Sequence, residues 1–226
     1  MTDDSFRAHW LPSLHARSLV ITVVTMMIIA TVIAAIIMMN TNDKTASEPV
    51  VRPATQAGRF YDGSAERLSH EVDSLLNSNA NVNGRSTLEA SLAKNVAALI
   101  VPHAGYYFSG NVAAAAYATL SPDKRYERIF LLGPSHHEWL DGASVNIGAD
   151  RYATPLGEVT VDRETGRQLT EADSVFAYHP EAHDREHCLE VQLPFLQRRF
   201  GDVPPIVPII ISTNDFAKLK RMAEVL

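Results

Sequence analysis

The chain has 226 residues, of which 46% are hydrophobic and 20% are charged, a balance that supplies enough apolar residues for a globular core. Its net charge is −6 and it contains no long basic run, which argues against a nucleic-acid partner. Its single cysteine, Cys188, rules out an internal disulfide and a cysteine-rich zinc site.

The amino-terminal segment is strongly apolar. Residues 19–39 contain no charge, proline or glycine, and at about 1.5 Å per residue a helix of this length reaches roughly 30 Å, the thickness of a bilayer core. A cleaved signal peptide normally has a shorter apolar region. The pattern therefore predicts a single transmembrane anchor behind a tail at 1–18. Arg17, directly before the span, favours an amino terminus inside the cytoplasm and a membrane protein whose soluble domain is extracytoplasmic.

Residues 40–53 are polar with two prolines and predict a linker, so the domain that follows is expected at 54–226. In this domain apolar strands alternate with amphipathic helices, which is typical of an α/β fold with a largely parallel sheet flanked by helices. The expected helices are 65–78, 109–120, 162–172, 186–200 with a kink at Pro194, and 215–226; the expected strands are 96–101, 128–132, 143–147, 158–161 and 206–211.

Two of the predicted strands each end at a histidine. Strand 96–101 leads into His103, and strand 128–132 leads into His136. In open α/β sheets, ligands bind beyond the carboxyl ends of the strands, and neutral imidazole is a common metal ligand. The sequence thus predicts that His103 and His136 share a metal ion, against the alternative of hydrogen-bonded structural histidines. His137 is expected beside the site, because the side chains of adjacent residues diverge.

A third cluster of titratable residues follows near the start of helix 186–200. The cluster consists of His179, His183, Glu186, His187 and Glu190. Glu186 and Glu190 lie four residues apart and are expected on one helix face, with His183 near its start. The cluster predicts either a metal or acid/base site, or a charged and solvated helix start. Cys188, in the same stretch, is expected to be a small buried residue.

Four segments together resemble the Memo family, whose bacterial members are labelled AmmeMemoRadiSam system protein B. They occur in the order and spacing of that family across about residues 51–226, and "AGRFY" at 57–61 is similar to its amino-terminal motif. The segments are "VPHAGYYFSG", "RIFLLGPSHH", "YATPLGEVTVD" and "EHCLEVQLPFLQ".

The resemblance implies a fold similar to class III extradiol dioxygenases and a pocket that binds copper or iron, with His103 and His136 as ligands. The pocket around them is expected to include His137, Tyr106, Glu186, His187 and Glu190. The family's third ligand, a cysteine late in the chain, has no counterpart in these 226 residues. The domain is therefore expected to be incomplete at its carboxyl terminus.

The sequence accordingly predicts a membrane-anchored, Memo-like protein with a histidine-lined metal pocket. The alternative is a non-catalytic interaction module with an incomplete metal site, and a non-haem iron dioxygenase is the weakest candidate. Whether the protein is an enzyme stays open. If the domain is incomplete, strand 206–211 is expected to lie bare at an edge of the sheet, because it is apolar and uncharged.

Overall fold

The computed structural model describes residues 26–33, 48–80 and 96–226. The chain divides into two units, residues 1–48 and 49–226. In the first unit, residues 26–33 form a helix whose residues are all exposed.

Most of the predicted anchor at 19–39, all of the tail at 1–18 and most of the linker at 40–53 lie outside the described residues. Among the residues that are described, none of the helices combines the length and apolarity that a membrane crossing requires.

The second unit contains both helices and strands, as an α/β fold requires. Its helices are α1 (Ala65–Ala80), α2 (Tyr106–Tyr117), α3 (Arg163–Ala172), α4 (Glu181–Asp184), α5 (Leu193–Phe200) and α6 (Phe216–Val225), with a 3₁₀ turn at Glu190–Gln192. Its strands are β1 (Val51–Arg52), β2 (Ile129–Pro134), β3 (Ala143–Val145), β4 (Arg151–Thr154), β5 (Gly157–Thr160), β6 (Phe176–Ala177) and β7 (Ile206–Ile211).

The strands form two mixed sheets, which corrects the expectation of one largely parallel sheet. The larger sheet has the order β2-β7-β3-β6, with β7 parallel to β2 and antiparallel to β3. The smaller sheet has the order β1-β4-β5. Strands β4 and β5 are antiparallel because only Pro155 and Leu156 separate them, and so short a connection permits only a hairpin.

Strand β7 lies inside the larger sheet, so the expectation of a bare edge at 206–211 was wrong. Ile206 and Ile210 belong to the hydrophobic cluster on one face, and Val207 and Ile209 to the cluster on the other. A strand that is buried on both faces is continuously apolar. The same apolar pattern was the reason for expecting a bare strand at the edge of the sheet. The outer strand on this side of the sheet is β2.

The predicted strand at 96–101 is not a strand. The segment pairs with no described strand, although Leu99 and Val101 pack against the core and Ile100 is fully exposed. An apolar run forms a strand only where a neighbouring strand is close enough to accept its hydrogen bonds, and a cavity separates this segment from β2.

The predicted helix at 186–200 is shorter than expected. Helix α5 begins at Leu193 with Pro194 in its first turn, where the missing N–H costs nothing, so the proline begins the helix and makes no kink. Glu186 lies before the helix, so Glu186 and Glu190 do not share a helix face. The other helix ends follow the sequence: Asp162 caps α3 and Asp215 caps α6 through side-chain hydrogen bonds.

Candidate metal centre

Three histidines converge beyond the carboxyl end of β2. The ring centroids of His103 and His136 are 5.2 Å apart, those of His136 and His187 are 4.2 Å apart, and those of His103 and His187 are 5.8 Å apart. One ring nitrogen of each residue lies within 4.8 Å of those of the other two. All three line a cavity of about 630 Å³ that Phe60 and Phe108 also border. The arrangement provides three nitrogen donors around one point.

Glu186 fixes the ring of His136. One carboxylate oxygen of Glu186 lies 2.8 Å from Nδ1 of His136, and the other accepts the backbone N–H of His136 at 2.7 Å. An ionised carboxylate can only accept hydrogen bonds, so Nδ1 carries a proton and Nε2 is the nitrogen left to bind an ion. This is the way a carboxylate orients a metal-binding histidine in many proteins.

The Glu186 carboxylate is buried and held by several donors. Besides His136, its Oε1 accepts the N–H groups of His187 at 2.9 Å and Cys188 at 3.1 Å. Burial acts to raise the pKa of Glu186, but the hydrogen bonds from His136 and Cys188 outweigh it and lower that pKa. The site therefore holds a fixed negative charge beside the imidazoles, which favours a bound cation.

The environment favours neutral imidazole at two of the three histidines. Burial lowers the pKa of His103, and the neighbouring His136 lowers it further. Burial also lowers the pKa of His187, although the charge of Glu186 acts in the opposite direction. Neutral imidazole is the form that binds metals, so these residues suit a metal site at neutral pH.

A second set of donors, His136, Glu186 and Cys188, is also close together. Burial raises the pKa of the Cys188 thiol, and its Sγ donates to the carbonyl oxygen of Pro134 at 3.3 Å. The thiolate is the metal-binding form of cysteine. A protonated thiol hydrogen-bonded to the backbone suits a packing role, as the sequence indicated.

The remaining predicted site residues lie elsewhere. His137 is exposed and points into a neighbouring open cavity. Tyr106 is buried and donates to the carbonyl oxygen of Val191 at 2.7 Å. His183 is buried, with Nε2 2.9 Å from the hydroxyl of Ser144. None of these three side chains contributes a donor to the histidine cluster.

Glu190 belongs to a buried ion pair with Arg52, next to the loop that carries Glu186 and His187. Arg52 donates to its Oε2 at 2.5 Å, and Tyr61 donates to its Oε1 at 2.6 Å. The guanidinium of Arg52 also donates to the backbone carbonyl of Glu186 at 2.8 Å. One charged network thus connects β1 with the loop that carries Glu186 and His187.

His187 is the donor that sequence reasoning placed only in the surroundings of the site. On a helix, its side chain would have diverged from that of Glu186. Because the chain at 185–189 is not helical, His187 turns towards His103 and His136. The sequence held no direct signal for this, because the direction of His187 depends on where helix α5 begins.

Comparisons with known proteins agree with the motifs of the sequence. The family model described as "Memo-like protein" matches residues 52–226. A MEMO1 family protein of Aeropyrum pernix is 37% identical over 161 residues, which cover 71% of this chain and 57% of the relative. One from Ignicoccus hospitalis is 36% identical, covering 75% of this chain and 60% of the relative. One from Saccharomyces cerevisiae is 32% identical, and the match covers 73% of this chain and 50% of the relative. The chain spans between half and 60% of the length of these curated relatives.

Proposed function

Because the chain belongs to the Memo family, we propose that it binds a copper or iron ion through His103, His136 and His187. The observation that carries the proposal is the convergence of three imidazole nitrogens within 4.8 Å of one another. Imidazole suits copper and iron as well as zinc and nickel, whereas calcium and magnesium prefer oxygen donors. The donor set therefore fits the proposed ion.

Each residue has a distinct task in this proposal. His136 presents Nε2, because its Nδ1 is engaged by Glu186. His103 and His187 supply the other two nitrogens from separate loops, so an ion would tie the segment around residue 103 to the segment around residue 187. A bound copper or iron ion would supply redox and Lewis-acid chemistry. Three protein ligands leave coordination positions open for water or a small ligand.

A ring-cleaving dioxygenase is a weaker proposal. Its iron site uses two histidines and one carboxylate. Here the Glu186 carboxylate accepts hydrogen bonds from His136, His187 and Cys188, so coordination through it would cost these bonds. A metal site with three histidines agrees better with the geometry.

The metal proposal is tested by calorimetry with Cu(II) and Fe(II) on the full chain. We expect His103→Ala, His136→Ala and His187→Ala each to weaken binding at least tenfold. His137→Ala is the matched control, since it removes an adjacent exposed histidine, and it should bind as the parent does. Equal binding by all four variants would contradict the proposal and would show that the three histidines are structural residues.

We further propose that the amino-terminal segment anchors the protein in a membrane, with the domain outside the cytoplasm. The supporting observation is the described helix at 26–33, in which large apolar side chains such as Met26, Ile29 and Ile33 are all more than half exposed. A helix with exposed apolar side chains suits a lipid environment.

The anchor proposal is tested by carbonate extraction of membranes from cells that produce the full chain. The parent should stay in the pellet. Ile29→Lys should move it towards the soluble fraction, because a central lysine costs roughly 3 kcal/mol of insertion energy. Ile29→Leu is the control. An intact parent chain in the soluble fraction would reject the anchor, and protease access from outside the cell tests the orientation.

A further inference from the structure

Gln192 is a buried glutamine whose amide connects two of the segments that form the metal centre. It lies in the 3₁₀ turn before α5 and is 6% exposed. Its Nε2 donates to the carbonyl oxygen of Pro102 at 3.2 Å and to that of Cys188 at 3.1 Å. Pro102 comes directly before His103, and Cys188 comes directly after His187. One side chain therefore joins the segment that carries His103 to the segment that carries His187.

The partners of Gln192 determine which way its amide faces. The two carbonyl groups are acceptors, so they require the NH₂ end of the amide. The other end, Oε1, accepts a hydrogen bond from the hydroxyl of Tyr117 at 3.0 Å. Burial raises the pKa of Tyr117, so this hydroxyl keeps the proton that it donates. Both ends of the amide thus have partners, as a buried amide requires.

The segment around His103 has few other polar contacts. Residues 101–105 form neither helix nor strand. Within the described part of the chain, the bond from Gln192 to Pro102 is the one hydrogen bond that reaches residues 101–103. The ring of His103 contacts the rings of His136 and His187. The place of His103 in the centre is therefore determined by packing and by the amide of Gln192.

The spacing of His103 and His187 is the widest in the centre. Their ring centroids are 5.8 Å apart, against 5.2 Å and 4.2 Å for the other two pairs. His136 is already held by both carboxylate oxygens of Glu186. Donors bind an ion tightly only when they are held at the right spacing before the ion arrives. A bond between the two segments that carry His103 and His187 supplies this for the widest pair.

We propose that Gln192 is a positioning residue of the metal centre, which sets the spacing between His103 and His187 by binding the backbone carbonyl groups beside them. Its amide is engaged by the backbone and by Tyr117, so Gln192 acts through the two histidines and is not itself a ligand. The inference rests on the proposed function, because it concerns the affinity of that site for copper or iron.

Calorimetry with Cu(II) on the full chain compares Gln192→Met with the parent. Methionine has nearly the length of glutamine but donates no hydrogen bond, so the affinity should fall at least tenfold, as it does when other outer partners of a metal site are removed. Gln197→Met is the matched control, since Nε2 of Gln197 donates to the carbonyl oxygen of Gly157 at 3.1 Å. This control removes the same kind of bond elsewhere and should bind copper as the parent does. Equal affinity losses in the two variants would overturn the proposal.

Double variants separate positioning from a general loss of structure. Without His103 there is no spacing left to set, so Gln192→Met should change the affinity of His103→Ala by less than about twofold. In His136→Ala both positioned histidines remain, so Gln192→Met should again weaken binding at least tenfold. The electron paramagnetic resonance of Cu(II) should show one nitrogen ligand fewer in Gln192→Met than in the parent. An equal further loss in both backgrounds would overturn the proposal, because Gln192 would then act on stability alone.

Nuclear magnetic resonance of the metal-free chain with isotopically labelled histidine tests the positioning without copper. The parent should show nuclear Overhauser contacts from the ring of His103 to those of His136 and His187. In Gln192→Met the contacts of His103 should be lost, while that between His136 and His187 is kept. This pattern in a parent that binds no copper would reject the metal proposal alone. Absence of the His103 contacts in the parent, or their persistence in the variant, would overturn the positioning role.

A second variant serves the same tests if Gln192→Met does not fold, which circular dichroism shows. Gln192→Asn keeps the amide, but its side chain is one methylene shorter and cannot reach both carbonyl groups. It should therefore weaken copper binding and remove the contacts of the His103 ring in the same way. A folded Gln192→Asn variant with the parent's affinity and ring contacts would overturn the proposal.

Discussion

Glu186 clamps His136 through two separate contacts. One carboxylate oxygen lies 2.8 Å from the ring Nδ1, and the other accepts the backbone N–H of the same residue at 2.7 Å. Two contacts to one residue fix both the ring orientation and the path of the backbone. The clamp therefore determines which nitrogen His136 offers to an ion.

We predict that Glu186→Gln weakens copper binding about 10- to 100-fold, the usual effect of removing the carboxylate behind a metal-binding histidine. The amide keeps the size of the side chain, but it can no longer accept every hydrogen bond. Calorimetry gives the affinity, and the electron paramagnetic resonance of Cu(II) reports changes in its nitrogen ligands. Glu181→Gln, an exposed substitution nearby, is the control. Unchanged affinity with an unchanged spectrum would mean that the clamp has no bearing on the ion.

The sequence predicted that His103 and His136 lie close together, and their ring centroids are 5.2 Å apart. Each of the two histidines follows a short apolar run, and this pattern is visible without knowledge of the strand pairing. The sequence could not place His187, whose direction depends on where helix α5 begins. Pro194 permitted either a kink inside a long helix or the start of a short one, and the local sequence does not distinguish them.

The arrangement of the strands was equally hidden. Residues 96–101 and 206–211 are both short apolar runs, and periodicity cannot show which one has neighbours on both sides. Strand 206–211 lies between β2 and β3, whereas 96–101 borders a cavity. Strand pairing is decided by contacts between distant parts of the chain. Apolar runs in the sequence therefore predict where strands can form better than they predict the order of the strands in the sheet.

His183 should make stability depend on pH. Burial, together with the charge of Arg52, lowers its pKa from 6.5 to about 3, so the unfolded chain binds a proton more readily than the folded one. Its contribution is fully present above about pH 6.5 and is lost progressively as the pH falls towards 3. The maximum slope is about 1.4 kcal/mol per pH unit.

We therefore predict that His183→Gln flattens the pH dependence of the unfolding free energy between pH 6.5 and 5. Urea unfolding of parent and variant at several pH values measures it, and the comparison cancels the contribution of carboxylates common to both. His70→Gln, at an exposed position of α1, should keep the parent's profile. A parent and a His183→Gln variant with equal slopes would show that His183 accepts a proton in the folded state.

Removing only one charge of the ion pair between Arg52 and Glu190 should strongly lower the unfolding free energy. Their side chains are 5% and 0% exposed, so Glu190→Gln leaves a buried guanidinium without its counter-charge. We expect a loss of about 3–5 kcal/mol of unfolding free energy. The double variant Arg52→Met/Glu190→Met removes both charges and should cost less than the single one. Urea unfolding measures the loss of unfolding free energy in the single and the double variant. A larger loss in the double variant would show that the ion pair itself stabilises the fold.

Gly133 connects the packing of β2 to the geometry of the metal centre. A Cβ added at this position would lie 2.4 Å from Sγ and 3.2 Å from Cβ of Cys188, so the strand and the loop that carries His187 would have to move apart. We predict that Gly133→Ala costs about 1–3 kcal/mol of stability, as overpacking does, and weakens copper binding by separating His136 from His187. Cys188→Ala removes the closest atom and should restore part of both losses in the double variant. Cys188→Ser keeps an atom at that place and should restore much less. Equal rescue by alanine and serine would show that the contact between Gly133 and Cys188 does not set the spacing of the two histidines.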